Sequence, residues 1–519
     1  LDDKDNTILK HGFFKEALLD GSQYEPLFKI CYDFLNSEKE LEKARNDFLQ
    51  SKYKDGDIIG FKIGSFPIEQ SDKYDGWWQE FYRKQREEGG KGKSVKRRCF
   101  ITGELAESVD TVPKISGLKN VGGHSSGDSF ICFDKDAYCS YGLKQAHNAA
   151  VSEESVTIVN KVLYELINRA PTLVGAKFVH WYKEPIPDRF DLCKILSDDF
   201  WGDGNDTEVE PQDQYFQEPL ALQEADKLLN SIDKGEYPTL LNNVYYIMVL
   251  SGASGRVMLR NYMQGSYLDL YYSFKAWFDD LRIVTPSGKG LSKAPKIYAL
   301  ILRLFGKRMN RKEISQHMKD IAGLQSHILL AIIQNKPLPD AVASRALQYL
   351  KSELHIGDES NKTIHIGLDM LSCQLLKIWL IRKQKDKGVE VTVKEDLNKD
   401  SGSVAYHAGR MMAVFAAIQI EALGDDLGAG VLQRYYTAAS TTPALVIGKL
   451  SSLSQYHLSK IEKKAFANRY LNLLSEIASK IGSKLPTTFM LEEQSQFALG
   501  YYQQRANLYK KNNEKKEEE

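Results

Sequence analysis

The sequence has no surplus of charge: 69 Lys and Arg stand against 69 Asp and Glu in 519 residues. A free-standing nucleic-acid binder carries a basic excess, so that class is disfavoured, whereas a subunit with local basic patches is not. Cysteine is scarce, six in all at positions 31, 99, 132, 139, 193 and 373, with no C-x-x-C pair. That excludes a disulfide framework and the usual zinc spacings, and reads as reduced thiols of a cytosolic protein. No apolar run approaches the length of a membrane span, and the opening LDDKDNTILK has no signal-peptide shape, so a soluble, cytoplasmic chain with no membrane partner is expected. Leu1 stands where a natural chain has Met, which suggests that an N-terminal piece lies upstream.

What is present is ordinary for a globular protein: 42% apolar and 27% charged residues, with a mean hydropathy of −0.40. The length allows two to four domains around a sizeable core. Residues 1–90 read as mostly helical and end in the aromatic-rich DGWWQEFYRK, followed by the basic run RKQREEGGKGKSVKRR at 83–98. Short strands and turns follow. SFICFD (129–134) and VGAKFVHWY (174–182) alternate and are rich in β-formers, with a helix over about 151–169 between them. The acidic 191–214 stretch reads as a boundary or surface excursion. Residues 240–285 read as strand, turn, strand and amphipathic helix, and from Pro295 onwards nearly everything has helical period. Thr442–Pro443 offers an N-cap with proline at the first helical position. One apolar face then runs through Ile447, Leu450, Leu453, Leu458 and Ile461, and a second through Phe466, Tyr470, Leu473, Leu474, Ile477 and Ile481. Gly482 and Pro486 close it, and a third helix carries Phe497, Tyr501 and Leu508. The tail YKKNNEKKEEE reads as disordered. The fold class is α+β: a mixed α/β N-terminal body followed by an α-helical C-terminal bundle. The expected divisions are 1–98, 99–294, 295–400 and 401–519.

Several lures fail on chemistry. Gly122–Ser129 keeps the spacing G-x-x-x-x-G-x-S of a phosphate-binding P-loop, but the lysine position holds Asp128, which repels phosphate, and a strand-like segment follows where a helix is needed. HIGD (355–358) and HIGL (365–368) each lack the second histidine of the aminoacyl-tRNA synthetase signature. Asp279 and Asp280 are helix neighbours facing different ways, and Asp198, Asp199, Asp203 and Asp206 lie in a loop without histidine. His407 and His457 lie on helices and are expected to pack or cap. No catalytic constellation, metal site or cofactor is expected. The chain reads as a binder.

KISGLKNVGGHSSGDSF (114–130) remains. Its glycines let a backbone approach a partner closely, and Lys114, Lys119, Asn120, His124, Ser125 and Ser126 donate and accept hydrogen bonds around Gly122 and Gly123. It is either a plain turn between strands or a loop able to enter a DNA groove.

The order of motifs carries a resemblance. PKISGLKNVGGHSSGDSFICFDKDAYCSYGLKQAHNAAVSEE (113–154), SGRVMLRNYMQGSYLDLYYSFKAWFDDLRIV (254–284), YHAGRMMAVFAAIQIEALG (406–424), RYYTAASTTPALVIGKLSSLSQYHLSKI (434–461) and LEEQSQFALGYYQQRANLYKK (491–511) resemble signature blocks of the large subunit of the type I-C CRISPR Cascade complex, the Csd1-like family. The resemblance covers roughly 95–519; the first 90 residues match poorly. His124 replaces a common Gln, and Ala149–Ala150 a common Ala-Pro. The resemblance implies a non-catalytic subunit of an RNA-guided DNA surveillance complex, with a C-terminal bundle equivalent to the small subunit. It would recognise the protospacer-adjacent motif, help open the duplex and hold the displaced non-target strand. The partners implied are the guide RNA (crRNA), target double-stranded DNA, the backbone and guide-end-capping subunits, small subunits and a recruited helicase–nuclease. The 119–127 loop would then read the duplex beside the target, with Gln145 or Asn148 wedging or contacting bases. Arg256, Arg260, Lys449, Lys460, Lys463, Arg469, Lys480 and Lys484 are the candidate backbone contacts. The rivals are a metal-dependent nuclease and a purely structural guide-RNA-binding subunit.

Overall fold

The computed structural model describes residues 3–50, 60–71, 73–88, 96–173, 175–196, 242–354, 367–424, 430–483 and 485–518. The chain forms two units, 1–110 with 133–155, and 111–132 with 156–519. In the first, α1 (Asp3–Gly21), α2 (Leu27–Asn36), α3 (Glu38–Leu49) and α4 (Tyr74–Glu88) accompany a minimal hairpin, β1 (Lys62–Ile63) and β2 (Phe66–Pro67). Ala17, Leu18, Phe28, Cys31, Trp77 and Phe81 share a core. The Trp77 indole N–H reaches the Asp20 carboxylate at 2.8 Å, so the ring is buried without an orphaned donor. Of the basic run, 83–88 ends α4 and 96–98 is β3 (Lys96–Arg98), paired antiparallel with β4 (Leu105–Glu107); 89–95 lie outside the described residues.

In the second unit a four-stranded antiparallel sheet runs in sequential order: β5 (Thr172–Leu173), β6 (Ala176–Tyr182), β7 (Val244–Ala253) and β8 (Arg256–Ser266). It follows α5 (Glu153–Arg169). Strand alternation sends Phe178, Tyr245, Ile247 and Met263 into one large core. Val179 and Leu250 pack instead in a smaller core with Leu163 and Ile167 of α5. The predicted strand, turn, strand and helix over 240–285 are therefore present. The helix is α6 (Tyr267–Leu281), started by Ser266, whose hydroxyl accepts from Asp269 N at 3.0 Å. Its Leu270, Phe274, Trp277 and Leu281 are fully buried at helical spacing.

Beyond it the described elements are helices: α7 (Ile297–Arg303), α8 (Arg311–His317), α9 (Ala322–Gln334), α10 (Asp340–Glu353), α11 (Met370–Asp386), α12 (Val404–Leu423), α13 (Val431–Thr441), α14 (Pro443–Lys460), α15 (Lys464–Ile481) and α16 (Leu491–Glu518). All belong to the second unit, and the predicted apolar faces of α14 and α15 supply its core through Ile447, Leu450, Leu458, Tyr470, Leu474 and Ile477. α12 and α16 cross with almost no space between them. A Cβ added to Gly409 would lie 2.0 Å from the Phe497 carbonyl oxygen, and one added to Gly500 would lie 2.0 Å from that of Tyr406. No helix among the described residues is long and apolar enough to cross a membrane.

Four expectations need correction. SFICFD is not a strand: only its Ser129 forms an isolated bridge, to Arg256 of β8, so propensity yields to pairing. Thr442 and Pro443 do take the N-cap and first helical positions of α14, but the Thr442 side chain makes no capping bond; its hydroxyl donates back to Ala438 O at 3.1 Å, since α13 ends immediately before. The charged tail continues α16 to Glu518, Lys and Glu being good helix formers once a docked helix has nucleated. The acidic stretch is not wholly surface: Leu192, Cys193 and Leu196 at its start are buried, while 197–214 lie outside the described residues.

Candidate nucleic-acid interface

The glycine-rich loop is closed at its neck by a backbone pair between Ile115 and Asp128, with N–H to O distances of 2.9 and 2.8 Å. Inside it Leu118 and Val121 drop into the smaller core beside α5 and the sheet. That anchors the loop on the β7–β8 face. Contact with the sheet is backbone to backbone. A Cβ on Gly252 would fall 2.2 Å from Gly123 N and Cα, so position 252 must be glycine for the loop to seat on the hairpin, while a Cβ on Gly123 would run into Asp128 and Leu118 of its own loop. Gly122 turns the chain with φ +89°, in the left-handed region.

Asp128, the residue that disqualified the P-loop reading, has a structural task. Its carboxylate has no exposed surface and accepts from the His124 backbone N–H at 3.1 and 3.2 Å. It holds from inside the turn where a P-loop lysine would hold a phosphate from outside. The chain then leaves along the hairpin edge, with Ser129 N donating to Gly255 O and Val257 N donating to Ser129 O, both at 2.9 Å.

With the backbone fixed this way, the side chains are left outward. Lys114, Lys119, Asn120, His124, Ser125 and Ser126 are exposed. None of these side chains has a hydrogen-bond or ion-pair partner among the described residues. A cation, an amide, an imidazole and two hydroxyls on a rigid backbone form a set that meets phosphate oxygens and base edges.

Gln145 and Asn148 fall in the other unit. The Asn148 amide is occupied in its own turn, accepting from Ser140 N at 3.0 Å and donating to Leu143 O and Gln145 O at 3.2 and 3.0 Å. Gln145 is exposed, with φ +48°. The same turn presents Tyr141, fully exposed at φ +52°. Sequence reasoning passed over Tyr141, and the small residues flanking it in SYG were the available signal.

On β8 the register places Leu259 opposite Leu250 and Asn261 opposite Val249, so Arg260 is the extra residue of a β-bulge. Its Nε donates to Ser251 Oγ at 2.8 Å, and it has no carboxylate partner among the described residues. Arg256 pairs with Ala253 in the register, which puts it on the face of the hairpin that carries Ser251. Both arginines are exposed.

In the C-terminal bundle Lys449, Lys460 and Lys463 are exposed and lie over the rings of Tyr435, Tyr456 and Phe466, at 5.3, 4.4 and 5.6 Å from the centroids. Lys480 pairs with Asp400 at 3.3 Å. Arg469 is half-buried, with its Nη2 buried, a correction to its outer-face placement. Lys484 lies outside the described residues.

The residues weighed for catalysis separate. Asp279 pairs with Arg282 at 3.6 Å while Asp280 faces Lys385 at 3.1 Å, two different directions. Asp198, Asp199, Asp203 and Asp206, and the histidines at 355 and 365, lie outside the described residues. His407 packs as expected. Arg410 donates to its Nδ1 at 3.1 Å, which makes the ring neutral with Nε2–H donating to Ser401 O at 2.7 Å. Burial and the neighbouring Arg410 push its pKa down. His457 is buried as well and pushed down by burial.

A search of the curated proteins finds no match. The family model described as CRISPR-associated protein (Cas_Csd1) matches residues 5–509, reaching into the first ninety residues, which motif by motif had matched poorly. The loop, the hairpin, the bundle and α1–α4 thus fall within one continuous match, and the chain belongs to the Csd1 family of CRISPR-associated proteins.

Proposed function

We propose that the chain is the non-catalytic large subunit of a type I-C Cascade complex, and that its 119–127 loop reads the motif flanking the target. One observation carries the reading: the loop backbone is locked by Asp128 and Gly252, while its polar side chains stay exposed and uncommitted. Guide RNA supplies the long sequence match by base pairing, as in other RNA-guided effectors, so protein need read only a short duplex beside it. In this reading Lys114 and Lys119 meet phosphate and set register, and Asn120 and His124 offer groups for base edges.

Arg256 and Arg260 on the adjacent hairpin, on the Ser251 face opposite the loop's seat at Gly252, add a second basic surface in the same unit. The aromatic-backed lysines of the bundle, Lys449, Lys460 and Lys463, suit a displaced single strand, for which rings and cations in alternation form a track. Cleavage belongs in this reading to a recruited helicase–nuclease, and the remaining partners are crRNA, backbone, guide-capping and small subunits in the cytoplasm.

The test uses the assembled complex with guide RNA and duplexes carrying a randomised flanking trinucleotide. Asn120→Ala is expected to lower discrimination among flanking motifs by about 1–3 kcal/mol, the worth of a base contact. Charge reversal at Lys119 weakens binding evenly and flattens its salt dependence. Unchanged motif preference in Asn120→Ala, with the complex intact, refutes the loop as reader. Divalent-cation-dependent cutting by the purified chain overturns the non-catalytic assignment.

A further inference from the structure

The other end of β6 carries a cluster that the nucleic-acid reading does not use. His180 lies on β6, and the chain returns over it through two short 3-10 turns, Asp188–Phe190 and Leu192–Leu196. Leu192 and Leu196 are fully buried, so the second turn is tethered to the core rather than draped on the surface. This brings His180 Nε2 to 2.8 Å from Asp191 Oδ2. The Cys193 thiol completes a set of three ligating atoms lying within 4.8 Å of one another.

We propose that His180, Asp191 and Cys193 bind one divalent transition-metal ion of the zinc type, which staples the 186–196 segment to the sheet. Four observations support it. The donor set is one imidazole nitrogen, one carboxylate oxygen and one thiol sulfur, the mixture taken by a borderline ion and refused by magnesium or calcium, which want oxygen throughout. The His180–Asp191 spacing is close to that of a coordination shell, and the thiol, within 4.8 Å of both, closes the rest of the way on binding. Ligands held about 2.0–2.3 Å from a tetrahedral centre lie roughly 3.3–3.6 Å apart, so His180 and Asp191 need open by only about half an ångström.

The carboxylate is also oriented. Asp191 Oδ1 accepts from the Tyr182 hydroxyl at 2.9 Å and from Cys193 N at 3.1 Å, which leaves Oδ2 as the oxygen turned to the histidine. Such outer hydrogen bonds fix ligand direction in metal sites. Finally, the His180 and Asp191 side chains keep 18% and 12% of their surface exposed, a path for an ion and for a water in the fourth position, while Cys193 is buried. The cysteine binds as thiolate, releasing its proton to solvent. No sequence motif announces the site, because the ligands come from a strand and a turn with no standard spacing between them.

Cobalt(II) is the probe, added to the purified full-length chain. One equivalent is expected to bind with a thiolate-to-cobalt absorption band in the near ultraviolet, bleached by zinc. Cys193→Ser abolishes the band, and His180→Gln weakens cobalt binding at least roughly 10-fold, as does Tyr182→Phe. Absence of the band at saturating cobalt overturns the proposal. So does a band that survives in Cys193→Ser, which assigns it to the more exposed Cys132 or Cys139. If Cys193→Ser proves unfolded by circular dichroism, His180→Gln decides by the same readout.

Discussion

Replacing Gly409 by alanine tests the deepest feature of the helical bundle. A methyl group there would sit 2.0 Å from the Phe497 carbonyl oxygen and 2.8 Å from its carbon, where ordinary contact begins at 3.4 Å. The obstacle is main chain on both helices, so no side chain can swing aside, and α12 and α16 must part locally by more than an ångström. A gap of that size forfeits about a quarter to a half of each dispersion contact it opens, along a crossing lined by the buried Ala408, Met412, Phe497 and Tyr501. It also strains the Arg410 Nε to Gln504 Oε1 bond, 2.9 Å long and fully buried. Overpacking of this kind costs typically 1–3 kcal/mol, and a backbone obstacle belongs at or above the top of that range. Against it stands the gain of about 1 kcal/mol when alanine replaces glycine within a helix.

The net expectation for Gly409→Ala is a loss of about 2 kcal/mol or more, read as a fall in the thermal midpoint of the full chain of roughly 2–3 °C. Faster amide exchange confined to α12 and α16 would accompany it. Because Gly409 and Gly500 meet in one crossing, the double variant is expected to lose less than the sum of the singles. The sign is decisive. Stabilisation by about 1 kcal/mol, as helix propensity alone predicts, would refute the close crossing.

The other expectations follow from equally local causes. Gly252→Ala pushes Gly122–Gly123 off the hairpin without altering any polar side chain, so motif discrimination falls as in Asn120→Ala; full discrimination in a folded variant would show that the loop does not depend on that seat. Lys377 is buried at 2% exposure with its ammonium on Asp280 O, and burial, countered mainly by Asp280, pushes its pKa from 10.5 down to about 8. Its folded value lies below the unfolded one, so the unfolded chain binds more protons between pH 8 and 10.5, and stability rises across that window. The stability advantage of Lys377→Met over the parent should therefore shrink by about 3 kcal/mol between pH 7.5 and pH 10.5; an advantage independent of pH contradicts the buried ammonium.

The sequence by itself determined what is periodic or adjacent. Ile447, Leu450 and Leu458 mark the buried face of α14 because 3.6-residue periodicity is a local property of the chain. The alternation in VGAKFVHWY similarly marks β6. The family was legible too, since its motifs are short contiguous strings and the match over 5–509 agrees with them. Asp128 was readable as the wrong residue for a P-loop, because one carboxylate at a phosphate position is a local contradiction.

Only the tertiary structure decided what that carboxylate does instead, since its partner is a backbone N–H made available by the fold of the loop. The same holds for SFICFD, which has strand composition but a single pairing position on β8. It holds for Gly409 and Gly500, two helical glycines whose reason lies on each other's helix, and for His180, Asp191 and Cys193, brought together by a returning turn. Periodicity states which side of an element is apolar. Which surface meets that side, and at what distance, depends on how the elements pack in space, which a local pattern does not encode.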